Sequence, residues 1–214
     1  MDGSHSSRKK PRKKIVGALL FPDFELLDIF GPLEMFGMLS DHFEIVTLAE
    51  TTRPVASAQG PRSVVDRTFA DDADVDILLL PGGRGTRREA ENPVLLEYLR
   101  TLYPQLDYLA SICTGSGVLA AAGLLDGRRA TSNKQSFAWA SSCGSAVTWV
   151  AQARWVTDGN IYTAGGVAAG IDMSLALIAR ILSEDVASEV ARYAEYDWHR
   201  DAAWDPFAEQ AGLL

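Results

Sequence analysis

The sequence predicts an α/β fold in which helices cover both faces of a mostly parallel sheet. Three observations carry this prediction. Short apolar runs without alternation recur along the chain, as in strands that are buried on both faces. Segments with helical spacing of apolar residues separate these runs, and this rhythm implies right-handed crossover connections. One apolar run ends abruptly in a cysteine, directly before a helical pattern begins.

The chain divides into a short basic start and a long acidic body. Its 214 residues are 47% hydrophobic and 22% charged, which suits a globular domain with a sizeable core. The formal net charge is −8, but residues 1–14 hold six basic residues and one acidic residue, so the remainder has 14 basic against 27 acidic residues, a balance of −13. We predict a disordered basic tail over residues 1–14 and a single domain over residues 15–214.

Composition also excludes several classes of function. The acidic body argues against nucleic-acid binding. No apolar run is long enough to span a membrane, and the apolar stretch after the basic start is too short for a secretory signal. Cys113 and Cys143 are the only cysteines and lack metal-ligand spacing, so we expect no metal site. These features predict a cytoplasmic protein, with nuclear import through the basic tail as the less favoured alternative.

The first half of the chain supplies most of the predicted sheet. A helix is expected after the first strand, broken at Gly31 and restarted at Pro32. Residues 53–65 predict a small hairpin, and residues 86–103 predict helical segments that restart at Pro93. The buried strands are expected at residues 15–21, 43–49, 76–80 and 106–112.

The second half continues the alternation with shorter elements. Residues 130–132 are expected to be extended, residues 135–142 to form a brief helix, and residues 147–150 and 155–157 to form strands near the edge of the sheet. A turn at residues 158–160 predicts a hairpin return over residues 161–163. Residues 168–182 are too apolar for a surface helix and should pack in the core or in a subunit interface. An amphipathic helix is expected over residues 184–197.

Cys113 is the first candidate for chemistry. Ser111 and Gly115 stand two residues on either side of it, and a sharp strand-to-helix turn that presents a nucleophile tolerates only small residues there. Free N–H groups in the first helical turn would favour negative charge on the sulfur. The alternative is a buried small hydrophobic residue that ends a core strand. The small neighbours and the helix start favour a reactive cysteine.

Four segments together resemble one family. They are SICTGSGVLAAAGLLDGRRAT around the cysteine, the LLLPGG strand end, the early FELLDIFGPLEMF and the late TAGGVAAGIDMSLALIA. The combination resembles the ThiJ/PfpI superfamily, which is related in fold to class I glutamine amidotransferases. Within it, the chain is most similar to the isonitrile hydratase branch and to the sensor domains of some AraC-type regulators. The resemblance implies a flavodoxin-like three-layer sandwich, a homodimer and no cofactor.

The resemblance also implies the roles of individual residues. It pairs Cys113 with an acid, and Asp28 stands at the matching position. Two acidic groups in a shielded site share a proton because both cannot ionise at low cost. The alternative for Asp28 is a carboxylate on a helix surface. Thr114 with Gly82 and Gly83 would form a pocket like an oxyanion hole, although the glycines alone indicate only a tight turn.

Fewer sequence features indicate which residues form the opposite wall of the predicted pocket. Gly165 and Gly166 would keep the following helix close to the pocket, or would serve helix packing alone. Asn133 stands where the hydratase branch carries a histidine, and it could form a hydrogen bond to a ligand. Lys134 is expected to be solvated. His5, His42 and His199 are the only histidines, and none follows Cys113 directly as in the peptidase-like branch.

These observations predict a hydratase that adds water to an isonitrile, or to a similar small electrophile, and forms an N-substituted formamide. Cys113 would be the nucleophile and Asp28 the proton donor. One alternative is an enzyme of the glyoxalase or deglycase type that acts on reactive carbonyls. Another is a sensor of ligands or oxidants that uses the cysteine without turnover.

Overall fold

A computed structural model describes residues 12–71 and 74–214, so most of the predicted basic tail lies outside the described residues. Within these residues, the eleven strands are β1 (Lys14–Leu19), β2 (Phe43–Ala49), β3 (Val55–Ala56), β4 (Arg62–Ser63), β5 (Arg67–Thr68), β6 (Ile77–Leu80), β7 (Tyr108–Ser111), β8 (Arg129–Ala130), β9 (Thr148–Trp149), β10 (Trp155–Asp158) and β11 (Ile161–Ala164). The eight α-helices of the described ranges are α1 (Leu26–Gly37), α2 (Thr86–Glu89), α3 (Pro93–Leu102), α4 (Gly115–Ala121), α5 (Phe137–Ser142), α6 (Ala169–Ile181), α7 (Glu184–Tyr193) and α8 (Phe207–Gln210).

The central sheet confirms the predicted α/β class. Its seven strands lie in the order β10-β11-β7-β6-β1-β2-β5, and every neighbouring pair except β10 and β11 is parallel. Helix α6 contacts α1 and α7, while α4 contacts α2, α3 and α5, so helices form two groups around the sheet. This is the flavodoxin-like sandwich that the sequence predicts.

The topology brings the candidate residues together at the carboxyl ends of the parallel strands. Strands β1, β6, β7 and β11 are parallel neighbours, so their carboxyl ends meet. Gly82 follows β6, Cys113 follows β7 and Gly165 follows β11. Ligands bind beyond this edge in open α/β sheets, because the loops there converge.

Helix α1 differs from the prediction, because it continues through Gly31 and Pro32 without a break. Pro32 cannot donate an N–H to the carbonyl of Asp28, but the packing of the helix outweighs this loss. A side chain at position 31 would lie 2.7 Å from a carbon of Ile171. Gly31 therefore allows α1 to approach α6 closely, rather than ending the helix.

Short elements account for the other differences. The predicted hairpin is present as the antiparallel pair β3 and β4, and the hairpin of β10 and β11 lies at the sheet edge as predicted. Strand β9 does not join this edge, because it pairs with β8 in a separate two-stranded sheet. Helix α7 ends at Tyr193, earlier than predicted, and α8 was not predicted.

Helix α6 is buried within the chain itself, against α1 and α7. Its apolar residues join the main core, as the sequence predicts. No helix in the described ranges combines the length and the apolar character needed to cross a bilayer.

Candidate active site

Cys113 lies in the strand-to-helix elbow that its small neighbours predict. Its φ is 56°, a left-handed conformation that is uncommon for a residue with a side chain. Its N–H donates to the carbonyl of Ala164 at 3.2 Å, which ties the elbow to the end of β11. A side chain at Gly115 would lie 2.6 Å from the carbonyl oxygen of Leu80, so this position requires glycine. Such strain accompanies many functional sites.

Asp28 faces this elbow from the buried side of α1. The residue is fully buried, and one carboxyl oxygen, Oδ2, accepts the N–H of Gly82 at 2.8 Å. The other oxygen, Oδ1, is buried without a well-formed hydrogen bond. A buried polar atom without a partner is costly and points to a functional reason for its retention.

Burial raises the pKa of both acidic groups. It raises the pKa of Asp28 to about 8, and the nearby charge of Glu25 adds to this effect. Burial, and then the charge of Asp28, raises the pKa of the Cys113 thiol, although the N–H of Thr114 partly opposes this. The helix start therefore does favour the thiolate as predicted, but desolvation is the larger effect. Cys113 and Asp28 share a shielded site in which loss of one proton hinders loss of the second.

The Gly82-Gly83 turn joins Asp28 to Thr114. Gly82 N–H holds Asp28, and the N–H of Gly83 donates to the hydroxyl of Thr114 at 3.1 Å. A side chain at position 82 would lie 2.5 Å from the nitrogen of Thr114, and Gly83 has a φ of +110°. Both positions therefore require glycine. Their amides hold protein groups, so the predicted role as free oxyanion donors is not the arrangement observed, and the N–H of Thr114 is the donor beside the sulfur.

Thr86 was missed by sequence reasoning, although it stands only three residues after Gly83. Its hydroxyl lies 3.0 Å from the hydroxyl of Thr114 and 2.7 Å from the carbonyl of Gly83. Ser132 was missed as well, and its hydroxyl donates to the carbonyl of Cys113 at 3.0 Å. Both are buried, so the elbow is held from two sides.

Gly166 and Asn133 lie together on the other side of the elbow. A side chain at Gly166 would lie 3.8 Å from the amide nitrogen of Asn133. The side-chain oxygen of Asn133 accepts the N–H of Ser136 at 3.1 Å, which orients the amide. Asn133 as a whole is partly exposed.

Gly165 adjoins a buried ion pair that the sequence did not predict. Lys134 was expected to be solvated, but it is buried, and its Nζ donates to Thr131 and to the carbonyl of Ala153. Its Nζ also lies 3.8 Å from Asp205, which the chain brings from far downstream. Desolvation lowers the pKa of Lys134 to about 8. A side chain at Gly165 would lie 3.0 Å from Asp205, so this glycine leaves room for the pair.

A second buried carboxylate, Asp172, binds the segment after α7. It accepts from Arg154 at 2.6 Å, from the hydroxyl of Tyr196 at 3.1 Å and from the N–H of His199 at 2.9 Å. A lone carboxylate within the apolar run of α6 was the signal that could have indicated this site. Unlike Asp28, both of its oxygens have donors.

Cys113 is only 6% exposed, so little of this residue is open to solvent. The described residues hold no group of three or more His, Cys, Asp or Glu side chains that could bind a metal ion. His42 lies at the opposite edge of the sheet, where its carbonyl accepts the N–H of Lys14. A small electrophile that reacts with a thiol and an acid fits this arrangement.

Comparisons with known proteins agree with this geometry. The model of the DJ-1/PfpI family matches residues 13–180. An isonitrile hydratase from Pseudomonas putida is 35% identical over 181 residues, which cover 85% of this chain and 78% of that protein. The HTH-type transcriptional regulator GlxA from Rhizobium meliloti is 31% identical, with coverage of 99% of this chain and 64% of the regulator.

A solved structure shows the same fold. The crystal structure of a ThiJ/PfpI family protein from Pseudomonas syringae has a TM-score of 0.81 and 30% sequence identity, and the match covers 94% of this chain and 85% of that chain. Relatives therefore include an enzyme and a transcriptional regulator, so the comparisons support the family without assigning one activity. With a matching family model over most of its length and the fold and elbow described above, this chain belongs to the DJ-1/PfpI family.

Proposed function

We propose that the protein is an isonitrile hydratase, which adds water to a small isonitrile and releases an N-substituted formamide. The observation that carries the proposal is the buried Asp28, whose Oδ1 lacks a partner and whose pKa is raised to about 8 beside Cys113. At neutral pH this carboxyl group carries a proton, and the terminal carbon of an isonitrile needs both a nucleophile and a proton. The similarity to the Pseudomonas putida enzyme supports the same reaction.

In the first step, the sulfur of Cys113 forms a bond to the terminal carbon of the isonitrile. Asp28 transfers its proton to that carbon, which leaves a thioimidate on the sulfur and a carboxylate at Asp28. The reactive state of the pair therefore holds one proton and one negative charge, and the pair reaches it when the proton of the Cys113 thiol is lost to solvent. Burial makes that state costly in the free protein, and the attack removes the charge from sulfur.

In the second step, water adds to the thioimidate carbon. The Asp28 carboxylate accepts a proton from this water and passes it to the substrate nitrogen. The carbon–sulfur bond then breaks, Asp28 takes the proton of the new hydroxyl group, and the formamide leaves. Cys113 is again a thiolate and Asp28 a carboxylic acid, so no oxidant, reductant or metal ion enters the balance.

Thr114 and the Gly82-Gly83 turn position the reacting groups. Gly82 N–H anchors one oxygen of Asp28, which leaves the unpartnered oxygen for the proton transfers. The N–H of Thr114 lies beside the sulfur and stabilises negative charge there. We propose that Asn133, across the elbow, donates to the substrate nitrogen.

The test is to incubate the purified chain with an isonitrile and, in parallel, with methylglyoxal, and to follow the products by NMR. The proposal expects the formamide from the first substrate and little or no lactate from the second. Cys113→Ala should lower formamide production by at least about a thousandfold, as for loss of a catalytic nucleophile. Cys143→Ala is the matched control, because Cys143 ends α5 away from the elbow and should be dispensable. Lactate without formamide would favour the glyoxalase type instead.

We also propose that the protein forms a homodimer through helix α1. Leu27 and Phe30 are 45% and 42% exposed on this helix, beside the shallow apolar hollow that includes Pro61. Such neighbouring apolar side chains are typical of a surface covered by a partner. A two-fold axis would bring the same patch of a second copy onto them. Phe36, by contrast, is fully buried within the chain and is not available to a partner.

A further inference from the structure

Three arginines follow the Gly82-Gly83 turn, and one of them differs from the others. Arg84 forms an ion pair with Asp23 at 2.8 Å, and Arg88 forms one with Glu89 at 2.7 Å. Arg87 has no carboxylate within ion-pair distance among residues 12–71 and 74–214. No ion pair therefore neutralises the positive charge of Arg87 within these residues.

The guanidinium of Arg87 is nevertheless held in place. It lies 4.1 Å from the ring centroid of Trp139, in the geometry of a cation–π contact. One nitrogen, Nη2, donates to the hydroxyl of Ser136 at 3.1 Å, and Nη1 donates to Thr86 at 3.2 Å. The ring of Trp139 packs on α4, where a side chain at Gly117 would lie 2.6 Å from it. A guanidinium fixed in this way loses little conformational entropy when it binds a ligand.

Two series of contacts link the guanidinium of Arg87 to Cys113. Thr86, which accepts from Arg87, is hydrogen-bonded to Thr114, the residue after the cysteine. Ser136, which also accepts from Arg87, belongs to the loop that orients Asn133 and whose Ser132 donates to the carbonyl of Cys113. The guanidinium thus spans two segments that each contact the elbow.

We propose that Arg87 binds an anionic group of the substrate, so that the substrate class is a small electrophile that carries a carboxylate. For the reaction itself this inference rests on the proposed hydratase function. A guanidinium has five N–H donors, and Arg87 uses two nitrogens on neutral hydroxyl groups, so donors and the full positive charge are left for a carboxylate. The acidic body repels anions, and a cation held beside the elbow opposes this repulsion.

The competing role for Arg87 is a purely structural link between α2 and the segment before α5. The two roles predict different responses to the charge of a reagent. A structural link would affect neutral and anionic reagents alike, because it acts through the shape of the elbow. A binding group would affect only reagents that carry a negative charge.

Alkylation of Cys113 separates these roles without requiring turnover. Iodoacetate and iodoacetamide are nearly equal in size, and only iodoacetate is charged. In a Cys143→Ser background, the ratio of their rates cancels the ionisation of the thiol. Arg87→Gln should lower the iodoacetate-to-iodoacetamide ratio by about tenfold, as expected for loss of one charge-assisted contact. Arg84→Gln, which removes a neighbouring arginine with an acidic partner, should leave the ratio within about twofold.

Turnover then tests the substrate class. Isocyanoacetate and its methyl ester are matched isonitriles with and without a carboxylate. The proposal expects kcat/KM to be higher for isocyanoacetate, and Arg87→Gln to remove that preference while it leaves the ester almost unaffected. An unchanged alkylation ratio, or an equal loss for both substrates, overturns the role of Arg87. If neither isonitrile is hydrated but the alkylation ratio falls as expected, the hydratase function fails while the anion-binding role of Arg87 stands.

Discussion

Asp28 and Asp172 are both fully buried carboxylates, yet the protein surrounds them differently. Asp172 accepts from Arg154, Tyr196 and a backbone N–H, so each of its oxygens has a donor and its charge has a counter-charge. Asp28 has one backbone donor, no cation within ion-pair distance in the described structure, and an oxygen without a partner. Burial raises the pKa of both.

The difference separates a structural carboxylate from a chemical one. At Asp172, Arg154 and the other donors oppose the effect of burial on the pKa, and the group links three segments. At Asp28 no cation opposes burial, and the N–H of Gly82 and the side chain of Cys113 only partly lower the pKa, so the group holds a proton near neutral pH and can transfer it. The unsatisfied carboxylate is therefore the one to expect at a reaction centre.

The largest expected effect is on activity. Asp28→Asn should lower kcat/KM by at least about a hundredfold, because the amide cannot exchange a proton with the substrate. The same change should shift alkylation of Cys113 by iodoacetamide to lower pH, since the charge of Asp28 raises the pKa of the thiol. Rates measured from pH 6 to about 10 test both points. Asp172→Asn is the control, and equal losses in the two variants would remove the distinction between them.

The second effect is on the stability of the folded protein, and it concerns Asp172. Asp172→Asn should lower the free energy of unfolding by about 3 to 5 kcal/mol, because it leaves Arg154 buried without its counter-charge. Urea denaturation at pH 7 measures this loss. The folded fraction should still turn over substrate. A variant as stable as the wild type would mean that the buried ion pair contributes nothing net.

A smaller effect concerns pH. The pKa of Asp28 is raised to about 8 in the folded protein from an ordinary value of 3.8, so the folded state retains its proton longer than the unfolded chain. This contribution to stability is complete below pH 3.8 and is lost as the pH rises through 8. Relative to wild type, Asp28→Asn should therefore gain about 4 kcal/mol of stability between pH 5 and pH 8. A constant difference between the two proteins across this range would contradict the raised pKa.

The smallest effect tests the homodimer. Phe30→Lys should yield monomers in sedimentation velocity at micromolar concentration, because a two-fold axis introduces the charge twice. Folding should be little affected, since Phe30 is 42% exposed. Glu34→Lys is a matched charge change at an exposed position of the same helix and should leave the assembly intact. Sedimentation of the wild type as a monomer would exclude the dimer.

The sequence predicted the elbow because its signals are local. Cys113 stands between small residues at the junction of a strand and a helix, and steric demands there act over a few residues. The glycines of the turn after β6 were predictable for the same reason. The continuity of α1 was not, because Gly31 and Pro32 suit either a helix break or close packing, and Ile171 of a distant helix decides between them.

Other features could not be predicted because their causes are distant in the chain. The role of Asp28 was predicted only through the family resemblance, since the N–H that holds its carboxyl group belongs to Gly82 and not to its own helix. Lys134 follows a polar residue and resembles a solvated lysine, yet Ala153 and Asp205 supply its buried partners. Thr86 belongs to the site because its hydroxyl contacts that of Thr114, and only the topology of the sheet brings these two residues together.

The segment after α7 also constrains the order in which the protein can fold. Lys134 and Asp172 precede it in the chain, but Asp205 and Tyr196 lie within it. During synthesis the sheet and α6 leave the ribosome before the segment after α7 does, so Lys134 and Asp172 gain these contacts last. The wall beside Gly165 is therefore completed late, and a nascent chain cannot hold this side of the site closed until residue 205 has been made.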